Sequence, residues 1–118
     1  MSKSRLASPD QECCEVTPLR GQPLTAAAAE KIALTLKALA DPVRLRLFSA
    51  VASHAGGQAC VCEVSEGLEV SQPTISHHLK VLREAGLLTA QRRGSWVYYA
   101  VVPEALHGVF DNLIGARV

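Results

Sequence analysis

At Gly86 the hydrophobic period of this chain changes. Upstream, apolar residues recur at spacings of three and four, as in helices that bury one face. Downstream, residues 88–91 and 95–101 are rich in β-formers and the period drops to 2. Just before the change, Ser71 opens a helix as its cap, Ile75, Leu79 and Leu82 share one face, and Pro73, His77, Lys80 and Glu84 lie opposite. Gly86 supplies its stop. Arg92, Arg93 and Gly94 join the two β segments into a hairpin that Trp96, Tyr98 and Tyr99 are expected to anchor. A capped amphipathic helix running directly into a hairpin restricts the chain to a mainly α domain with a small β appendage.

The rest of the pattern is helical. Thr25 caps a first helix in which Ile32, Leu36 and Leu39 recur, ending near Ala40. Asp41-Pro42 restarts the chain, because Asp accepts from free first-turn amides and Pro at the first helical position loses no bond. This second helix buries Val43, Leu47 and Val51, is capped at its end by His54, and stops at Gly56-Gly57. Residues 58–66 predict a third, short helix stopped by Gly67, and 68–70 form a tight connection, giving a helix-turn-helix. Pro103 begins a last helix with an apolar stripe of Leu106, Val109, Phe110 and Leu113.

Length and composition set the frame. The 118 residues, 48% hydrophobic, suffice for one modest core. Residues 1–22 are polar and proline-containing with no sustained period, and read as a flexible arm that carries Cys13 and Cys14; residues 23–118 form the folded domain. No run approaches the roughly 18–20 apolar residues of a membrane span, and the N-terminus lacks an apolar stretch of signal-peptide length. A cytoplasmic protein with no membrane partner is expected. In a reducing compartment its four cysteines are expected as free thiols or metal ligands, not bridges.

Net charge is only +1, but between residues 71 and 100 Lys80, Arg83, Arg92 and Arg93 face Glu84 alone. The major groove, about 12 Å wide, admits one helix whose N-terminal residues reach the base edges. Ser71, Gln72, Thr74, Ser76 and His77 are the hydrogen-bonding groups such a helix presents, and Gln72 can pair bidentately with adenine. Lys80 and Arg83 follow at positions suited to phosphates, with Arg92 and Arg93 on the hairpin as a wing. The arrangement reads as a winged helix-turn-helix that binds double-stranded operator DNA. One such helix spans too few base pairs for useful specificity, so a homodimer reading two half-sites is expected, built through the apolar stripes of the terminal helices.

Four segments, LKALADPVRLRLFSAV, CVCEV, SQPTISHHLKVLREAGLL and RRGSWVYYAV, together resemble the ArsR/SmtB family of metal-responsive repressors over roughly residues 30 to 105. The resemblance implies a winged helix fold, a dimer built from the first and last helices, and repression relieved by an inducer.

The cysteines are the candidate sensor. Cys13-Cys14 lies on the arm and Cys60 and Cys62 flank Val61. Soft thiolates select soft ions: As(III) and Sb(III), with Cd(II) and Pb(II) as alternatives. Two residues apart on a helix are separated by about 200° around its axis. Both sulfurs can therefore meet one ion only where the helix end distorts or the ion lies near its terminus. Three-coordination by Cys13, Cys14 and one of Cys60 or Cys62 would suit arsenic.

CVCEV is similar to the third-helix metal site of the family, but the third cysteine that arsenic-responsive members often carry is Ser65 here. Members with N-terminal cysteines imply a site that joins the arm to the third helix, usually across the dimer. The family's other site, on the last helix, is poorly represented, with only His107 and Asp111 one turn apart, and no zinc site is carried over.

Pinning the arm to the segment beside the reading helix would weaken DNA binding, and near-complete switching needs a differential on the order of 5 kcal/mol. No cofactor is required on this reading. A thiol redox sensor would use the same fold. A thiol enzyme built on Cys and His77-His78 is disfavoured, since both histidines belong to the DNA-facing helix and no nucleophile-elbow or glycine-rich motif accompanies them.

Overall fold

The computed structural model describes residues 21–115. Cys13 and Cys14, with nearly all of the expected arm, lie outside the described residues.

Helix α1, Ala26–Leu39, is capped by Thr25, whose Oγ1 accepts from the Ala28 amide at 3.1 Å. Helix α2, Pro42–Ser53, starts where predicted: Asp41 accepts from the Arg44 amide at 3.0 Å and Pro42 occupies the first turn. That amide holds the Asp41 carboxyl below its ordinary value of 3.8. His54 caps the end of α2, its Nδ1 bonded to the Ala50 carbonyl at 2.8 Å.

The prediction for residues 58–66 needs correction. Gln58–Cys60 is a strand, β1, and only Val61–Val64 is helical, as α3. Strand β1 pairs antiparallel with β3, Trp96–Val101, placing Gln58 opposite Ala100 and Cys60 opposite Tyr98. Those backbone partners lie some 40 residues along the chain, so no local period announces them. Ala59 faces inward and is fully buried.

Helix α4, Gln72–Glu84, has Ser71 as its cap and buries Ile75, Leu79 and Leu82, the predicted inner face. Gly86 ends it with φ +82. Its amide donates to Arg83 and that of Leu87 to Leu82, which satisfies two carbonyls the last turn would otherwise leave free.

Strand β2, Leu88–Arg93, pairs with β3 in the sheet order β1-β3-β2. Strand β2 runs two residues further than predicted and β3 starts one residue later: Arg92 and Arg93 are in the ladder, Arg93 opposite Trp96, and the turn is Gly94-Ser95. Gly94 has φ +65, the left-handed geometry that a two-residue hairpin turn demands. Tyr98 and Tyr99 are half-buried, but Trp96 is 55% exposed and anchors nothing. It sits at the turn, beyond the reach of the core.

Helix α5, Pro103–Ile114, is the last element among the described residues. The core gathers Leu47 and Val51 of α2, Ala59, Val64, the inner face of α4, Leu87 and Leu88. Helices α1 and α5 sit at its margin and leave Leu34, Leu36, Phe110, Leu113 and Ile114 exposed. The result is mainly helical with a small antiparallel sheet, the predicted class.

Candidate nucleic-acid interface and thiol pair

The N-terminal half of α4 projects from the core as a polar ledge. Ser71, Gln72, Thr74, Ser76, His77, Lys80 and Arg83 are all exposed, while Ile75, Leu79 and Leu82 between them are buried. The Ser71 and Thr74 hydroxyls bond to each other at 2.9 Å. Ser71 Oγ also accepts from the Thr74 amide at 3.4 Å.

Arg44 braces this helix from behind, a contact that sequence reasoning missed. Its Nε donates to the Ala38 carbonyl at the end of α1 at 2.6 Å, and its terminal nitrogen lies 3.2 Å from Nδ1 of His78 on α4. One guanidinium thus ties three helices together. His78 is half-buried with its Nδ1 against Arg44, whereas the adjacent His77 is exposed on the ledge.

The hairpin tip carries Arg92 and Arg93, both exposed. The Arg93 guanidinium donates to Gln58 at 3.0 Å and Gln91 at 3.2 Å, and lies 4.8 Å from the centre of the Tyr98 ring.

Cys60 and Cys62 come together, though in a way the helical reading did not foresee. Cys60 precedes α3 in extended backbone and Cys62 lies inside its first turn, with Cα atoms 5.5 Å apart. The two sulfurs are bonded to each other, in place of the free thiols expected. A separation of about 200° applies to two residues on one helix, and the strand-to-helix junction removes it. Cys60 also closes a capping box: its sulfur accepts from the Glu63 amide, and the Glu63 carboxylate accepts from the Cys60 amide at 2.8 Å. Two soft donors meet at one helix start, Cys62 exposed and Cys60 buried beneath it, and suit a soft ion once the thiols are reduced. Ser65 lies one turn on, its hydroxyl directed back to the Cys62 carbonyl at 3.4 Å. Among the described residues no group of three or more His, Cys, Asp or Glu side chains is placed to hold a metal ion. No helix among them is long and apolar enough to cross a membrane.

Comparison with known proteins places these features. The family model described as bacterial regulatory protein, arsR family, matches residues 41–90. The arsenic resistance transcriptional regulator ArsR1 of Pseudomonas putida is 49% identical over 82 residues, covering 70% of this chain and 62% of that protein, a little under two thirds of its length. The arsenical resistance operon repressor of Bacillus subtilis is 40% identical over 76 residues, covering 64% of this chain and 70% of the relative. Among solved structures, the AntR antimony-specific transcriptional repressor superposes with a TM-score of 0.65 at 25% identity, covering 91% of this chain and 89% of that one.

Proposed function

Because the chain belongs to the arsR family of bacterial regulatory proteins, we propose that it is a cytoplasmic repressor that binds operator DNA as a homodimer and releases it when its thiolates capture As(III) or Sb(III). The fold is that of a winged helix-turn-helix regulator, and the relatives are transcriptional regulators, not enzymes. The single observation that carries the sensing half is the meeting of Cys60 and Cys62 at the start of α3. The names of the arsenic and antimony regulators above favour a trivalent metalloid over Cd(II) or Pb(II).

In this reading Ser71, Gln72, Thr74, Ser76 and His77 meet base edges, and Lys80 and Arg83 meet phosphates, with the wing beside them. Reduced Cys60 and Cys62 supply two sulfurs and the segment bearing Cys13 and Cys14 supplies the rest. Residues 1–22 serve as the arm, and residues 23–118 as the DNA-binding and dimerisation domain. The exposed apolar side chains of α1 and α5 support the dimer, since a second copy would cover them.

The bond between Cys60 and Cys62 favours a second reading, a thiol redox sensor. Mobility shift of operator DNA separates the two. Arsenite should release the reduced wild-type protein and spare Cys60→Ser, Cys62→Ser and at least one of Cys13→Ser and Cys14→Ser. Release by peroxide alone, with no response to arsenite, would replace the metalloid reading with the redox one.

A further inference from the structure

The two wing arginines are adjacent in sequence but lie on opposite faces of the sheet. Residues directly opposite across an antiparallel pair share a face, and successive residues alternate. Leu88 pairs with Val101, Ala90 with Tyr99 and Arg92 with Val97. Leu88 is buried, and Tyr99 and Val101 pack against the core that also holds Ile75, Leu79 and Leu82 of α4. Arg92 therefore extends the face that looks toward the reading helix. Arg93, opposite Trp96, belongs to the far face with Gln91, Tyr98, Gln58 and Cys60.

On that far face Arg93 is occupied. Its guanidinium stacks over Tyr98 and donates to side-chain oxygens from two different strands, Gln58 of β1 and Gln91 of β2. Both bonds come from one terminal nitrogen, while the plane of the cation lies over the aromatic ring, a stacking that a guanidinium offers and an ammonium does not. A duplex seated on the exposed half of α4 meets the hairpin from α4's side, where Arg92 is.

We infer that Arg92 is the phosphate-binding cation of the wing and that Arg93 is a positioning residue, a brace that fastens the hairpin to β1 through Gln58 and Tyr98. This rests on the reading of the hairpin as a DNA-contacting wing. A cation that neutralises a phosphate adds about 0.9 to the salt slope of binding, whereas a brace adds nothing to it.

The test is the salt dependence of operator affinity, measured by fluorescence anisotropy on the full chain for Arg92→Ala, Arg93→Ala, Gln58→Leu and the Gln58→Leu/Arg93→Ala pair. Arg92→Ala should lower the magnitude of the slope by about 1 per wing. Arg93→Ala and Gln58→Leu should each weaken binding several-fold with the slope unchanged, and the pair should be no weaker than Arg93→Ala alone. The one tryptophan, Trp96, lies opposite Arg93, so its emission should shift in Arg93→Ala and Gln58→Leu and hold in Arg92→Ala. All three residues lie at the surface or half-buried, and an unchanged melting temperature verifies folding. A slope lowered by Arg93→Ala as much as by Arg92→Ala, or additive effects in the pair, would overturn the division of roles. If neither arginine variant changed affinity or slope, the wing reading would fall and the inference with it.

Discussion

Cys60 stands opposite Tyr98 across the β1–β3 ladder and at the same time caps α3, so one residue belongs both to the sheet that carries the wing and to the helix that precedes the reading helix. Its sulfur occupies the place a serine oxygen takes in the usual capping box. Compared with the reduced wild type, Cys60→Ser should therefore fold with near equal stability, while Cys60→Ala, which leaves the Glu63 amide without its acceptor, should lose about 1 kcal/mol in urea unfolding. Equal losses in both variants would show that the sulfur acts in packing and not as a cap.

The exposed ledge of α4 separates base reading from phosphate binding. Gln72→Ala and His77→Ala should reduce operator affinity with little change in binding to unrelated DNA. Lys80→Ala should weaken both and flatten the salt dependence. Anisotropy titrations on operator and scrambled duplexes check this; uniform losses in all three variants would contradict it.

Asp41 makes stability depend on acid. Its carboxyl is held below 3.8 chiefly by the Arg44 amide, with the charges of Arg44 and His78 acting in the same direction. A depressed carboxyl stabilises the fold fully above its unfolded value, and that contribution is lost as pH falls through the lower folded value. Asp41→Asn keeps a capping acceptor but does not titrate, so its urea midpoint should fall less steeply than wild type between about pH 5 and pH 2. Parallel curves would mean that Asp41 does not set the acid limb.

Leu34 is 66% exposed and Phe110 54%, on two helices that otherwise serve one core. Leu34→Glu and Phe110→Glu should leave the core intact but shift light-scattering mass from dimer to monomer, and operator affinity should fall with it. A wild-type protein that is monomeric at micromolar concentration would remove the basis for this prediction.

Much of this fold was legible because its determinants are local. Thr25, Asp41-Pro42, Ser71 and Gly86 act within four residues of themselves, and each helix boundary they predicted is where the structure has it. The inner face of α4 followed from spacing alone. What sequence could not show depends on distant partners. Residues 58–60 become a strand because β3 offers a free edge, and Arg44 reaches His78 only once α2 and α4 pack. Arg93 looked equivalent to Arg92 until the pleat put them on opposite faces. Residue type predicts Trp96 as an anchor, but its place beside the turn leaves it exposed. At the sensing site, Cys60 meets Cys62 at the helix terminus, the one place where the spacing allows it, because β1 holds Cys60 extended ahead of α3.

The central claim is that reduced thiols at the start of α3 govern the grip on DNA. Titrating operator-bound, reduced protein with arsenite while following anisotropy tests it most directly. Wild type should lose affinity by roughly 100-fold, a coupling of about 3 kcal/mol, whereas Cys60→Ser and Cys62→Ser should bind as tightly as wild type but stay bound. Wild type that holds its operator at saturating arsenite, or cysteine variants released as completely as wild type, would contradict it.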